Sequence, residues 1–319
     1  GEPELRPSHC PGRLGNWPFQ DKGMMMSDIE NSGASRVDRR GMFRGAAALG
    51  SVGLLAPITP LGAVPAKTEP EAAAAKLTQD VGRTLRWNAP PPADWVVPLA
   101  GADHDVVIVG AGHSGLSISY WLRRRGISRV LTIDGAEPGQ AGIWRAIGRM
   151  NQLNTPKTLA GPARDNAALG FRPWYETLHG TGAFDALDRV PRLAWADYLA
   201  WFERVTETKV RYRTRLVDIE PSGELLHLHL ENGGVRSSVT TRKVVLANGY
   251  LGAGGTNVPD FIQRLPGHLW SHTGTPFPLA PLRDKVVGVV GAGASAFDAA
   301  GAALEAGAAQ VHLFARKSY

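Results

Sequence analysis

Residues 105–134 read DVVIVGAGHSGLSISYWLRRRGISRVLTID, and this stretch decides the fold. Asp105–Val109 is a short continuous apolar run, the pattern of a strand buried on both faces. It passes directly into Gly110-Ala111-Gly112-His113-Ser114-Gly115. An amphipathic helix is predicted next, through Leu116, Ile118, Tyr120, Trp121 and Leu122. A second apolar run, Val130–Ile133, ends in Asp134. Strand, G-x-G-x-x-G, helix, strand and terminal acid together form a dinucleotide-binding unit. Gly110 permits the tight turn, Gly112 lets the backbone approach a pyrophosphate, and Gly115 lets helix and strand pack closely. The helix N-terminus offers free N–H groups and partial positive charge to phosphates. Asp134 is placed to accept hydrogen bonds from a ribose. His113 and Ser114 are read as incidental, since the loop geometry asks only for glycines.

The pattern recurs. Val286–Val290 (VVGVV) leads into Gly291-Ala292-Gly293-Ala294-Ser295-Ala296, an Ala-rich helix follows towards Gly307, and the next strand is Val311–Phe314. Ala296 stands at the third glycine position, an accepted variant. Ser295 and Asp298 have the spacing of a capping box. In the first unit the acid lies 24 residues beyond the first glycine; the same offset from Gly291 reaches Ala315, followed by Arg316 and Lys317. Two cations where an acid would stand suit a 2′-phosphate, favouring NADPH while leaving NADH possible. The alternative reading of Arg316 is a solvated strand-end charge. The fold class predicted is α/β, with two Rossmann-like parallel-sheet domains of three layers, the second incomplete. Two dinucleotide units imply two nucleotide cofactors, with FAD on the first and NAD(P)H on the second, and hydride passing between them.

The rest of the chain is organised around these units. The 319 residues are 43% hydrophobic and 20% charged, enough apolar content for one or two cores. The net charge of +6 comes from scattered Lys and Arg with no basic stripe, so nucleic-acid binding is not expected. A single cysteine, Cys10, excludes a disulfide framework, a Cys/His zinc cluster and the paired thiols of a flavin disulfide reductase. No metal site is expected. Residues 1–66 read as a disordered leader, in which Met24, Met25 or Met26 is a candidate start. Arg39-Arg40, the run GAAALGSVGLLAPITPLGAV and Pro65-Ala66 supply the three parts of a signal peptide, and the arginine pair resembles the twin-arginine type. Export to the periplasm or beyond is the expectation, with a cytoplasmic protein carrying a basic leader as the alternative. Pro57, Pro60 and Pro65 interrupt the run, so no integral membrane helix is expected. Residues 67–103 read as an Ala/Pro/Glu-rich linker, 104–284 as the FAD-binding domain with an aromatic-rich helical insertion, and 285–319 as the start of the NAD(P)H domain.

Further residues point to a family. After Asp134 come Gly139-Gln140-Ala141-Gly142-Ile143-Trp144 and then Leu153-Asn154-Thr155-Pro156-Lys157, while Leu246-Ala247-Asn248-Gly249 closes an apolar strand. These resemble the G-G-x-W, the segment along the flavin and the A-T-G strand end of class B flavin monooxygenases. That group contains the flavin-containing monooxygenases, Baeyer–Villiger enzymes and N-hydroxylases. The likeness runs from Asp105 to Arg316. The family's F-x-G-x-x-x-H is kept only in part: within Pro266–Thr273 (PGHLWSHT), His272 survives but the Phe and Gly positions hold Pro266 and His268. His272 is therefore read either as that fingerprint or as the cap of an interdomain turn.

What the resemblance implies is an FAD- and NADPH-using monooxygenase, in which reduced flavin takes up dioxygen and delivers one oxygen atom to a small organic substrate. No side-chain nucleophile or acid–base pair is required; Gly142, Trp144, Asn154 and Lys157 would neighbour the flavin. A reductase or oxidase without oxygen insertion is the alternative. The chain taken alone is also expected to bind FAD poorly, because the family's second domain continues beyond the point reached here. Phe171, Trp174, Tyr175, Phe184, Trp195, Tyr198, Trp201 and Phe202 crowd one segment, and the spacing of Trp195, Tyr198, Leu199 and Phe202 is that of a buried helical face. Most are predicted to be core, with a few available to line a pocket.

Overall fold

A computed structural model of the protein describes residues 70–88, 90–159, 161–163 and 166–315. The leader with its arginine pair, and Arg316 and Lys317, lie outside the described residues.

The buried run begins the central strand β1 (His104–Val109). It pairs in parallel with β2 (Val130–Ile133) on one side and with β8 (Val235–Leu246) on the other. Val107 and Ile108 are fully buried, as a strand covered on both faces requires. The whole sheet has the order β5-β2-β1-β8-β7-β6, with β5 (Val210–Arg211), β6 (Thr214–Ser222) and β7 (Leu225–Asn232) completing it. The β6-β7-β8 half is an antiparallel meander. The β7–β8 turn is Gly233-Gly234, both at positive φ, which two-residue hairpins of right-handed twist demand.

Helix α2 (His113–Arg124) crosses from β1 to β2 and buries Gly115, Leu116, Ser119 and Tyr120. Between β2 and β5 comes the predicted insertion. It comprises β3 (Gln152–Pro156), α3 (Phe171–His179), β4 (Arg189–Pro191) and α4 (Arg192–Val205), with β3 and β4 paired antiparallel. Its aromatic residues form one core with α2. Phe171 touches Trp174, Tyr175, Phe184, Trp195 and Tyr198 at ring separations of 5.3–6.3 Å. Tyr198 is fully buried and donates its hydroxyl to Leu169 O at 2.7 Å. Burial pushes its ionisation well above the ordinary phenol range.

One expectation is corrected. Residues 70–87, read as linker, form an 18-residue helix, α1 (Pro70–Trp87). Leu77 and Val81, four apart, are buried in the aromatic core with Leu85 packed beside them. The Trp201 indole donates to Thr78 Oγ1 at 3.1 Å. Ordered structure thus begins well before His104. The Ala- and Glu-rich composition that suggested a linker is also good helix-forming composition, and three apolar side chains suffice to dock it.

The short helix α5 (Asp260–Gln263) precedes the second unit, β9 (Val286–Val290), α6 (Ala294–Glu305) and β10 (Gln310–Phe314), whose two strands are parallel. Val289, Ala296 and Ala300 form its small core. The capping box does not form. The N-cap is Gly293, without a side-chain cap, so Ser295 and Asp298 lie inside the helix.

Candidate functional site

The first glycine loop has the geometry its sequence demands. Gly110 sits at φ +107°, and a Cβ there would lie 2.4 Å from Ala247 O. A Cβ on Gly115 would lie 1.8 Å from Gly110 O, so helix and strand approach as closely as backbones can. Gly112 is in the extended region at φ −69°, and a Cβ on it would meet Gly142 Cα at 3.5 Å and Gly142 N at 3.9 Å. The glycine of the G-I-W segment therefore faces the loop glycine across a narrow gap. Helix α2 has no side-chain cap at Gly112, which leaves its first N–H groups for an anion.

Asp134 closes the site. Its Oδ2 accepts from Ala111 N at 2.7 Å and its Oδ1 from Ala136 N at 2.7 Å, fixing the carboxylate beside the glycine loop. Just behind it, Tyr212 donates its hydroxyl to Glu203. Burial raises the Glu203 carboxyl, the Tyr212 hydrogen bond opposes this, and the Asp134 charge adds to the rise. An uncapped helix N-terminus, a glycine surface and a carboxylate at the strand end together fit the pyrophosphate and ribose of a dinucleotide.

The loop side chains are less incidental than the sequence suggested. The His113 ring lies 5.4 Å from Trp195, which lies 6.4 Å edge-on from Trp144. Burial lowers the His113 pKa. The loop, the G-I-W segment and the insertion are thereby joined through three rings. Trp144 is held further by Arg192, which donates to its carbonyl and to Met150 O, the latter at 2.8 Å.

Asn154 lies on β3 and Lys157 in the turn after it, and the Lys157 ammonium is already committed to protein carbonyls. The Lys157 ammonium donates to Phe184 O, Asp185 O and Leu187 O at 3.1, 2.9 and 2.5 Å, using all three of its hydrogens. It pins β3 to the 184–187 loop. Asn154 is exposed, and its carbonyl accepts from Arg189. His272 caps its own turn: Nδ1 accepts from Gly274 N at 2.9 Å and its carbonyl from Thr275 N at 3.0 Å.

In the second unit Gly291 has φ +149° and Gly293 caps α6 in extended geometry. A Cβ on Gly291 would meet the Ala296 side chain at 3.2 Å, so this unit is spaced to accept alanine where the first needs Gly115. Ser295 is exposed at the helix start. Arginines that the sequence reading did not single out lie between the two units. Arg149 donates to Thr273 O and Thr275 O at 2.9 and 3.3 Å, and Asn151 Nδ2 donates to both carboxylate oxygens of Glu305 at 3.0 Å. No spacing in the chain marks them, since Arg145 and Arg149 come from a loop and Arg192 from the start of α4.

Comparison with known proteins agrees with this geometry. A family model described as FAD-NAD(P)-binding matches residues 107–251, and one described as L-lysine 6-monooxygenase/L-ornithine 5-monooxygenase matches residues 184–319. An FAD-dependent urate hydroxylase from Xanthomonas campestris pv. campestris is 43% identical over 230 residues, covering 70% of this chain and 48% of the relative. The chain belongs to the flavin-dependent monooxygenase family. An uncharacterized CzcO-like oxidoreductase from Geobacillus kaustophilus is 25% identical over 193 residues, 60% of this chain and 49% of that protein. The chain thus spans about half the length of the curated relatives it matches.

Solved structures share the flavin monooxygenase fold. A flavin-containing monooxygenase from Stenotrophomonas maltophilia matches with TM-score 0.52 at 22% identity, over 67% of this chain and 58% of that one. An ornithine hydroxylase from Pseudomonas aeruginosa gives TM-score 0.53 at 22% identity, over 67% and 55%. The predicted α/β class with a Rossmann-like FAD/NAD(P)-binding unit holds. The meander carried on its sheet was not anticipated.

Proposed function

We propose that the protein is an FAD-dependent, NADPH-consuming monooxygenase that hydroxylates a small planar nitrogen heterocycle of the urate kind. The observation that carries this reading is the 43% identity to a urate hydroxylase across the glycine loop, Asp134 and the insertion. FAD, when bound, supplies the redox chemistry and the activation of dioxygen. This chain's residues bind and orient. Gly110, Gly112, Gly115 and the N-terminus of α2 hold the pyrophosphate, Asp134 the ribose, and Gly142 and Trp144 the wall facing the loop. Gly291, Gly293, Ser295 and Ala296 receive the pyrophosphate of NADPH, with Arg316 and Lys317 assigned to its 2′-phosphate. The packed rings of His113, Trp144 and Trp195 exclude water from one side of the site.

The lysine/ornithine monooxygenase model over residues 184–319 favours a second reading, N-hydroxylation of an amine. Export through a twin-arginine route belongs to the same proposal, supported by Arg39-Arg40 and the apolar run after them. Among the described residues, no helix is long and apolar enough to cross a membrane.

The deciding experiment is anaerobic addition of NADPH to the FAD-loaded protein, followed by oxygen with urate or with ornithine. Bleaching of the flavin and urate-coupled oxygen consumption support the first reading, and ornithine-coupled consumption the second. Quantitative hydrogen peroxide release with neither substrate consumed overturns both in favour of an oxidase.

A further inference from the structure

A groove runs between residues 143–151 and α6, and neither glycine loop uses its wider part. Near the start of α6 it is narrow, about 50 Å³, lined by Arg149, Ser295 and Asp298. Towards the end of α6 it opens to a cleft of about 230 Å³. Its walls include Arg145, Arg149 and Arg192, the apolar side chains of Phe277 and Leu279, and the carboxylate of Glu305.

We propose that this cleft binds a small planar organic anion bearing ring N–H groups, the chemical class to which urate belongs. The three guanidiniums receive its anionic oxygens, Glu305 accepts its ring N–H, and Phe277 and Leu279 cover its face. For the ligand's identity the inference rests on the hydroxylase reading above; the charge pattern is independent of it.

Three cations share this cleft with two carboxylates close by. Asp197, which does not line the cleft, pairs with Arg145, and Asn151 holds Glu305. Each guanidinium has N–H groups to spare. Arg145 gives one bond to Asp197, Arg192 gives two to the Trp144 and Met150 carbonyls, and Arg149 gives three to Ile147, Thr273 and Thr275. Five N–H groups are available to each. Burial lowers the pKa of Arg149, and burial followed by the nearby Arg145 charge lowers that of Arg192. An anion placed between Arg145 and Arg192 relieves the repulsion between those two charges, and it compensates the burial of Arg149.

The ligand class follows from the remaining walls. A simple phosphate would meet the Glu305 carboxylate unfavourably, whereas a ring with N–H donors satisfies it. Two apolar walls suit a flat face. The volume lies below the roughly 300–1,000 Å³ of clefts that take drug-sized ligands, so the ligand is small.

The test is equilibrium dialysis of urate against the full chain in the presence of FAD, with flavin absorbance read separately. Saturable binding at one site is expected, weakened about tenfold or more by Arg145→Gln, which removes one charge-assisted contact. Leu279→Trp, which fills the cleft without touching a charge, should abolish it. Arg172→Gln, remote and already paired with Asp185, should not alter it. Hypoxanthine, a neutral purine of similar outline, should bind at least about tenfold more weakly. Inorganic phosphate and NADP⁺ serve as competitors. Displacement of urate by phosphate at equal concentration would make this a plain anion site and overturn the proposal. Absence of saturable urate binding, or full affinity in both cleft variants, would overturn it as well. Loss of the flavin spectrum with urate binding intact would remove the monooxygenase reading and leave this one standing. Flavin retention without urate binding would do the reverse.

Discussion

Two neighbouring glycines of the first loop should fail in different ways when each becomes alanine. A Cβ on Gly115 would stand 1.8 Å from Gly110 O and 2.9 Å from its carbonyl carbon. Both are backbone atoms, so no rotamer change relieves the clash. Helix α2 must retreat from β1 by about 1.2 Å to restore a 3.0 Å contact. Overpacking of this kind costs about 1–3 kcal/mol of stability, and the retreat carries the helix N-terminus away from the phosphates. Gly115→Ala should therefore lower the urea midpoint and weaken FAD binding, by about tenfold for each amide–phosphate hydrogen bond lost. Gly112 differs, because its added Cβ meets nothing nearer than Gly142 Cα at 3.5 Å and its φ of −69° suits any residue. Gly112→Ala should leave the unfolding free energy within about 0.5 kcal/mol of the parent while still impairing FAD, since the methyl occupies the gap where backbone and pyrophosphate meet. The assay pairs urea unfolding with flavin absorbance after gel filtration. Parent-like FAD retention by Gly112→Ala would refute the placement of the pyrophosphate; an unchanged midpoint for Gly115→Ala would refute the packing argument.

Lys157→Met should destabilise the protein by about 2–3 kcal/mol, because three carbonyls lose a charged donor, and hydrogen exchange should speed up in residues 184–187. Parent-like exchange there would show that the clamp is unimportant. Glu203 has a folded-state pKa raised chiefly by burial, so the folded protein binds its proton more tightly than the unfolded chain does. That contribution is complete below the unfolded value of 4.5 and fades as pH rises through the higher folded value. Glu203→Gln keeps an acceptor for Tyr212 and should flatten the fall in stability above that point; an unaltered pH profile would exclude Glu203 as its source. Trp201→Phe should cost about 1 kcal/mol through the lost bond to Thr78 and raise the rate of protease cleavage within α1. No change in that cleavage rate would mean that apolar contacts alone hold the helix.

Much of the backbone geometry of the candidate nucleotide site was legible in the sequence, because local conformational demands shape it. A positive φ at Gly110 and a carboxylate at the end of β2 leave traces at single positions. The helical insertion was legible for a similar reason, since Trp195, Tyr198, Leu199 and Phe202 share one buried face. What escaped depended on contacts between distant segments. Helix α1 docks through Leu77, Val81 and Leu85, too few apolar residues to stand out from an alanine-rich background. The ring contact between His113 and Trp195 joins residues 82 positions apart, and nothing in G-x-G-x-x-G anticipates it. Lys157 looked like a flavin neighbour by its motif, yet its partners come from a loop about 30 residues on. The arginine cleft draws on 145–149, 192, 277–279 and 305, so only the folded chain assembles it.

The docking of α1 also bears on where the proposed export leader is cut. A cut that releases the proposed leader has to fall upstream of Leu77, because Leu77 and Val81 line the same aromatic wall as Trp201 and Phe202. Trimming further, to the first strand at His104, would expose an apolar surface on the insertion that carries Trp195. The proposed cleavage point is thus constrained from within the protein, by the first helix among the described residues.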